Sequence, residues 1–332
     1  MPTHVCDVCN KVFLQKGHLT SHKNKKKPCV KNNTLDIIVE QKVKEVLAKK
    51  ESQEQPKNTI EPPVTSSLPI NKIINKDCKL ALKELPPDSI DLTVTSPPYD
   101  SIRDYNGFAF TFEDFTSIAK ELYRVTKPGG VVVWVVGDAT EGGGESGSSF
   151  KQALEFMKIG FKLHDTMIYE KNTSSFPAKR TGTRYTQIFE YMFVFAKKNV
   201  KTANLISDKP NKWAGHTNWG KNTNRLKNGE LIETTAIKPV PDFSPRNNIW
   251  KYNVGKGFNS SDNESHEHPA IFPEKLAEDH ILSWTNEGDV VLDPFSGSGT
   301  TAKMAKKNKR SYIGLEISET YCKLSEAILA KY

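Results

Sequence analysis

The sequence predicts an open, mostly parallel α/β sheet with helices on both faces, built from residues 70–332. Three observations predict it. Beyond residue 70, strand-like apolar runs alternate with segments of helical period, the pattern of parallel strands joined by crossover helices. Two of those runs end in loops of small, polar and prolyl residues, 95–99 and 293–301, and open α/β sheets bind ligands at the carboxyl ends of their strands. No apolar run approaches the ~20 residues that a membrane-spanning helix needs.

The elements follow in order. Residues 1–30 form a Cys- and His-rich unit that ends in Lys23, Lys25, Lys26 and Lys27. Residues 31–69 are a helix and a flexible linker. Over 34–51, Ile38, Val39, Val43, Val46 and Leu47 have the spacing of a short amphipathic helix, and 52–69 are rich in Pro, Ser, Thr, Glu and Gln. Strands are predicted at 71–75, 90–95, 131–136, 164–169, 190–196, 290–294 and 311–315. Helices are predicted at 78–85, 112–125, 149–159, 273–284, 299–307 and 318–331. Residues 139–149, with Gly142-Gly143-Gly144, read as a mobile loop. Residues 197–250, polar and carrying Trp213, Trp219 and Trp250, read as an insert in the sheet pattern.

Lys and Arg number 47 against 39 Asp and Glu, a formal charge of +8 that suits a polyanionic partner. The N-terminus lacks the apolar stretch of a secretory signal. The five cysteines are odd in number and three stand within the first 29 residues, a usage that points to metal rather than disulfides. The expectation is a soluble intracellular protein without a membrane partner.

Cys6 and Cys9 are separated by two residues, twelve more lead to His22 and six more to Cys29. Phe13 and Leu19 sit where a small ββα unit needs its two core side chains. The segment resembles a C2H2-type zinc finger whose last ligand is Cys. The resemblance implies a structural Zn2+ on Cys6, Cys9, His22 and Cys29, because a unit this small cannot bury enough surface to fold alone. The final spacing is longer than the usual three to five, and His18 is a competing ligand whose spacing fits less well. A finger helix contacts DNA or a protein; a single one spans about three base pairs.

Thr95-Ser96-Pro97-Pro98-Tyr99 follows the apolar run 90–94. Two prolines stiffen the backbone and remove two N–H donors, which leaves an acceptor edge of the Ser96 hydroxyl and nearby carbonyls, suited to a substrate that presents an NH2 group. Tyr99 offers an aromatic face. Ser96-Pro97-Pro98-Tyr99 resembles the catalytic motif of the DNA amino-methyltransferases. The resemblance implies that Ser96 and the Pro97 carbonyl accept hydrogen bonds from an exocyclic amine, while Tyr99 stacks on a base flipped from the duplex.

Asp293-Pro294-Phe295-Ser296-Gly297-Ser298-Gly299-Thr300-Thr301 follows the run 290–292 and opens a helix. It lacks the Gly-Lys-Ser/Thr of a phosphate-binding loop and the full glycine triplet of a dinucleotide site. It resembles the cofactor loop of the same family, which implies S-adenosylmethionine held by Asp293 through Thr300. Glu316, at the end of the next strand, matches the acid that meets the cofactor's ribose. Asp77 matches an acid near its adenine, with Lys76 where the family has Gly. The segment 268–273, with Phe272, resembles the one that packs on the methionine end, and 124–130 the helix-to-strand turn after the catalytic loop.

The catalytic motif precedes the cofactor loop, the permuted order of the β group of this family. The resemblance covers residues 70–332 and implies a Rossmann-like S-adenosylmethionine-dependent methyltransferase sheet, with target recognition in 197–250. Ser at the first motif position implies N4 of cytosine; N6 of adenine is the alternative. C5-cytosine chemistry needs a Pro-Cys nucleophile, and the Pro28-Cys29 pair belongs to the finger. Lys179, Arg180, Arg184 and Trp213 are candidate contacts to double-stranded DNA, beside Lys212, Lys221 and Arg225. Residues 244–250 resemble a junction near the recognition region. The expected role is to protect DNA from a cognate restriction endonuclease or to mark it. A non-catalytic DNA-binding protein on the same fold is the rival from another class.

Overall fold

The computed structural model describes residues 4–6, 12–13, 19–20, 22, 68–98, 110–141, 143–173, 185–217, 223–233, 238–255, 257–268 and 271–332. The chain divides into two compact units, 1–66 and 67–332. In the first, strand β1 (His4–Val5) pairs antiparallel with β2 (Val12–Phe13), Cys6 is buried, and the backbone is helical at 19, 20 and 22. Among the described residues no three metal-ligating side chains gather. Cys9, Cys29, His18, the lysines after His22, the expected helix 34–51 and linker residues 52–67 lie outside the described residues.

In the second unit, the described residues form a sheet of eight strands. In spatial order these are β14 (Ile249–Tyr252), β8 (Lys162–Lys171), β9 (Phe189–Ala196), β5 (Thr126–Val136), β4 (Ile90–Thr95), β15 (Val290–Asp293), β16 (Ser311–Glu316) and β3 (Lys72–Asn75). Only β9 runs antiparallel to its neighbours in this sheet. Helices α1 (Cys78–Glu84), α2 (Phe112–Val125) and α3 (Ser148–Ile159) cover one face; α4 (Glu274–Trp284), α5 (Thr300–Lys307) and α6 (Glu319–Leu329) cover the other.

The two-residue period of a strand divides the core between these layers. Val131, Val133 and Val135 pack with Leu276, Ile281 and Met304, whereas Val132, Trp134 and Val136 pack with Phe115, Leu122 and Phe156. β5 is buried on both sides, which is why its sequence is a continuous apolar run. The Trp134 indole still finds a partner, donating to Gln152 Oε1 at 2.8 Å. No helix among the described residues is long and apolar enough to cross a membrane.

Several expectations need correction. β5 begins at Thr126, directly after α2, and its pairing with β4 shifts register across Pro128-Gly129-Gly130. Gly129 adopts φ +89°, and its amide donates to the Lys197 carbonyl at 2.6 Å. The expected mobile loop carries a hairpin, β6 (Thr140–Glu141) with β7 (Gly144–Glu145), and ends where Asp138 accepts from the Ser149 amide at 2.9 Å. Leu68, expected in the linker, packs against the core beside Ile74. The expected insert overlaps a sheet strand: β14 joins β8 as the edge of the main sheet. Its four residues include Lys251 and are flanked by Asn248 and Asn253, too short and too polar in context to show a period.

Within the insert, β10 (Lys209–Pro210) pairs antiparallel with β13 (Phe243–Ser244), and β11 (Thr223–Arg225) with β12 (Leu231–Glu233). Between the hairpins, Gly215 donates to the Val240 carbonyl at 2.8 Å and Val240 to that of His216 at 3.0 Å. The insert is therefore an arm that leaves and returns on paired backbone.

Candidate active site at the carboxyl edge of the sheet

β3, β16, β15 and β4 are parallel neighbours, so their carboxyl ends share one edge of the sheet. Asp293 stands opposite Gly314, and Glu316 opposite Asn75. The segment 95–98 and the glycine turn, far apart in sequence, thus leave adjacent strand ends. Thr95 and Asp293 join them, the Thr95 hydroxyl donating to Asp293 Oδ1 at 2.6 Å. Thr301, in the first turn of α5, donates to the Val94 carbonyl at 3.1 Å and fastens that helix to the same strand. Pro97 is buried, while Ser96 and Pro98 are half-buried. Tyr99 lies outside the described residues.

The turn is shaped by its glycines. Gly297 and Gly299 adopt φ +51° and +81°, conformations that L side chains rarely take. A Cβ on Gly297 would stand 2.9 Å from His268 Nε2, and one on Gly299 would stand 3.1 Å from Ser325 Oγ. His268 is itself seated edge-on against Tyr321, with ring centroids 4.5 Å apart. Ser325 donates to the Gly297 carbonyl at 2.7 Å.

Glu316 holds the turn from the neighbouring strand. Its carboxylate accepts from the Gly297 amide at 2.8 Å and from the Ser318 amide at 2.9 Å. Burial raises its pKa despite these donors. Burial likewise pushes Asp293 up to about 6, against the Thr95 and Phe295 donors. The hydroxyl oxygens of Ser296 and Ser298 are buried without a protein partner. Buried polar groups are rarely left so, and here two fall within one turn.

The remaining expected residues are placed as follows. Pro294 and Thr300 are buried and Phe295 is half-buried, edge-on to Phe110 with ring centroids 5.6 Å apart. Phe272 is half-buried against the core. Asp77 caps α1, accepting from the Lys79 amide at 2.8 Å. Trp213 is exposed in the arm, with Lys212 Nζ 5.5 Å from its ring centre. Lys179, Arg180, Arg184 and Lys221 lie outside the described residues.

Sequence reasoning missed Thr95 as the partner of Asp293, and it missed Lys303. The Lys303 side chain is 1% exposed, yet its ammonium donates to Asp262 Oδ2 at 2.5 Å, Glu274 Oε1 at 2.6 Å and Ser261 Oγ at 2.7 Å. Burial opposes ionisation of Asp262 and Glu274, and the Lys303 hydrogen bonds override it, leaving both carboxyls below their ordinary pKa. The cluster ties the segment leading to His268 and Phe272 onto α5, whose N-terminus is the glycine turn. A Lys in a short helix that also carries Lys306 and Lys307 gives no sequence signal of such burial.

A family model described as DNA methylase, N6_N4_Mtase, matches residues 90–327. The chain belongs to this family of DNA methylases. The match takes in both strand ends described above. The methylase is 57% identical over 244 residues to the orphan methyltransferase M.BamHII of Bacillus amyloliquefaciens, covering 74% of this chain and 90% of that one. Its fold matches that of PvuII DNA methyltransferase (cytosine-N4-specific), with a TM-score of 0.55 and 21% identity, over 76% of this chain and 84% of the other. It also matches a DNA modification methylase of Thermus thermophilus, TTHA0409, complexed with S-adenosyl-L-methionine, with a TM-score of 0.53 and 24% identity, over 78% and 93% of the two chains.

Proposed function

We propose that this methylase moves a methyl group from S-adenosylmethionine to the exocyclic N4 of cytosine in double-stranded DNA. The observation that carries the reading is the Thr95–Asp293 hydrogen bond, which holds Ser96-Pro97-Pro98 beside the glycine turn. The unpartnered Ser296 and Ser298 hydroxyls and the left-handed glycines fit a polar cofactor drawn close to the backbone. Asp293 through Thr300, with Glu316, Phe272 and Asp77, would hold it. Bound there, S-adenosylmethionine would supply an electrophilic sulfonium methyl, its S–CH3 bond breaking as the N–CH3 bond forms so that a neutral thioether leaves and the amine gives up one proton to solvent.

The chain's own residues do the rest. An exocyclic amine is a poor nucleophile, since its lone pair is delocalised into the ring. Ser96 Oγ and the Pro97 carbonyl accept its hydrogens and so favour a pyramidal nitrogen. Pro97 and Pro98 keep that acceptor edge rigid. Tyr99 stacks on the base once it leaves the duplex. Lys179, Arg180 and Arg184 contact phosphates, and the arm with Trp213 reads the target.

The domain assignment is a finger at 1–30, a helix and linker at 31–69 and the catalytic domain at 70–332. The hairpin with buried Cys6 followed by helical backbone suits a ββα unit stapled by Zn2+ on Cys6, Cys9, His22 and Cys29. The proposed cellular role is protection of DNA from a cognate endonuclease, or marking of it. Ser96 favours cytosine over adenine, the second reading.

The test is nucleoside mass spectrometry of plasmid DNA methylated by the full chain. N4-methylcytosine supports the proposal and N6-methyladenine selects the alternative. No transfer, or transfer undiminished in Ser96→Ala, overturns the assigned chemistry. Zinc analysis of the purified chain at about one equivalent supports the finger.

A further inference from the structure

We propose that Arg246 is the positioning residue of the arm: its guanidinium fixes both roots of the arm to helix α4 and so sets how the arm meets DNA. The proposal rests on the reading of the arm as the part that contacts DNA. Arg246 Nε donates to Asp208 Oδ2 at 2.7 Å, and Nη2 approaches the same oxygen at 2.6 Å. Nη1 donates to Asp279 Oδ2 at 2.6 Å. Asp208 precedes β10 and Arg246 follows β13, so one side chain bridges the outgoing and returning roots. Asp279 belongs to α4 and its side chain is 1% exposed, which makes it a fixed post.

The post is further held by Tyr252, whose hydroxyl donates to the same Asp279 oxygen at 2.9 Å. The Arg246 amide donates to the Ile206 carbonyl at 3.0 Å, and its guanidinium lies 5.5 Å from the Trp250 ring centre. A planar fork holds the two carboxylates in one fixed geometry through separate N–H groups; an ammonium on a flexible stem is a point charge that imposes no such geometry. Beyond these roots, the described part of the arm is largely exposed and held by its own backbone pairing. Its direction is therefore decided where it is bolted.

Arg246→Lys and Asp208→Asn test this. Asp208 is half exposed, so its change leaves the Arg246–Asp279 pair and the fold in place. With the full chain, tritiated S-adenosylmethionine and plasmid DNA from a host without DNA methylation, both variants are expected to raise KM for DNA about ten-fold. kcat and KM for S-adenosylmethionine should stay within about two-fold, the signature of lost binding rather than lost chemistry. Hydrogen exchange at the amides of Asn211, Gly215 and Arg246 should quicken. Unchanged exchange overturns the proposal. Quickened exchange with unchanged KM for DNA also overturns it if Trp213→Ala raises that KM; if Trp213→Ala is silent too, the reading of the arm as DNA-contacting fails instead.

Discussion

Thr95 and Asp293 stand 198 residues apart in the chain and share a buried hydrogen bond of 2.6 Å. The acceptor carboxyl also takes the Phe295 amide at 3.0 Å, and burial nevertheless pushes it up to about 6. The native state therefore keeps a proton on Asp293 that the unfolded chain, ionising near ~3.9, has already released. Between about pH 4 and 6 the native state binds more protons than the unfolded one, so this group's contribution falls as pH rises and levels off above about pH 6.

Asp293→Asn should remove that cost, because the amide oxygen still accepts from Thr95 and Phe295. Melting of parent and variant from pH 4 to 8 should show no difference at the acid end. The variant's advantage should grow by up to ~1.4 kcal/mol per pH unit through the window. A difference that stays flat across that range excludes this carboxyl as its source.

Gly297→Ala places a Cβ at φ +51°, 2.9 Å from His268 Nε2. The backbone penalty alone is about 1 kcal/mol. Calorimetric titration with S-adenosylmethionine should show affinity reduced at least roughly ten-fold, equivalent to ~1.4 kcal/mol. Adding His268→Ala relieves the contact but not the dihedral, so affinity should recover only in part. Parent-like affinity in the single variant removes the turn from the cofactor site.

Glu316→Ala leaves the Gly297 and Ser318 amides without their acceptor, at about 1–3 kcal/mol for each buried donor. Glu316→Gln keeps one oxygen and should lose less. Denaturant midpoints should rank parent, Gln, Ala. Equal midpoints for Gln and Ala would mean that charge, not acceptance, is what the turn needs.

Lys303→Met strips the cation from between Asp262 and Glu274. Removing one member of a buried ion cluster typically costs about 3–5 kcal/mol. The triple change with Asp262→Asn and Glu274→Gln should recover most of it, since no unpaired charge remains. The check is urea unfolding of the single and triple variants; a triple variant no better than the single one rejects the electrostatic account.

The sequence carried the sheet's heart and the two loops at its carboxyl edge, because β4, β5 and β15 are apolar enough to read as strands and Ser96 and Gly297 sit in composition-marked turns. What it hid has physical causes. β14 contributes four residues with exposed Ile249 and Lys251 alternating with buried Trp250 and Tyr252, a period too brief to stand out from its polar flanks. Thr95 looks like any strand Thr until β15 is laid against it. Asp77, matched to a cofactor acid by its position in a motif, also obeys the local rule that Asp caps a helix start. Lys303 is invisible because burial of an ammonium depends on carboxylates 29 and 41 residues away.

Lys209 and Ser244 face each other across a two-strand ladder, so the chain enters and leaves the arm at nearly one point. Whatever lies between them can be lengthened, shortened or exchanged without asking the eight-stranded sheet to move. A donor hairpin from another methylase, spliced at these two positions, would inherit the same mounting and, on the proposed reading of the arm, would give the unchanged strand-end chemistry a new address.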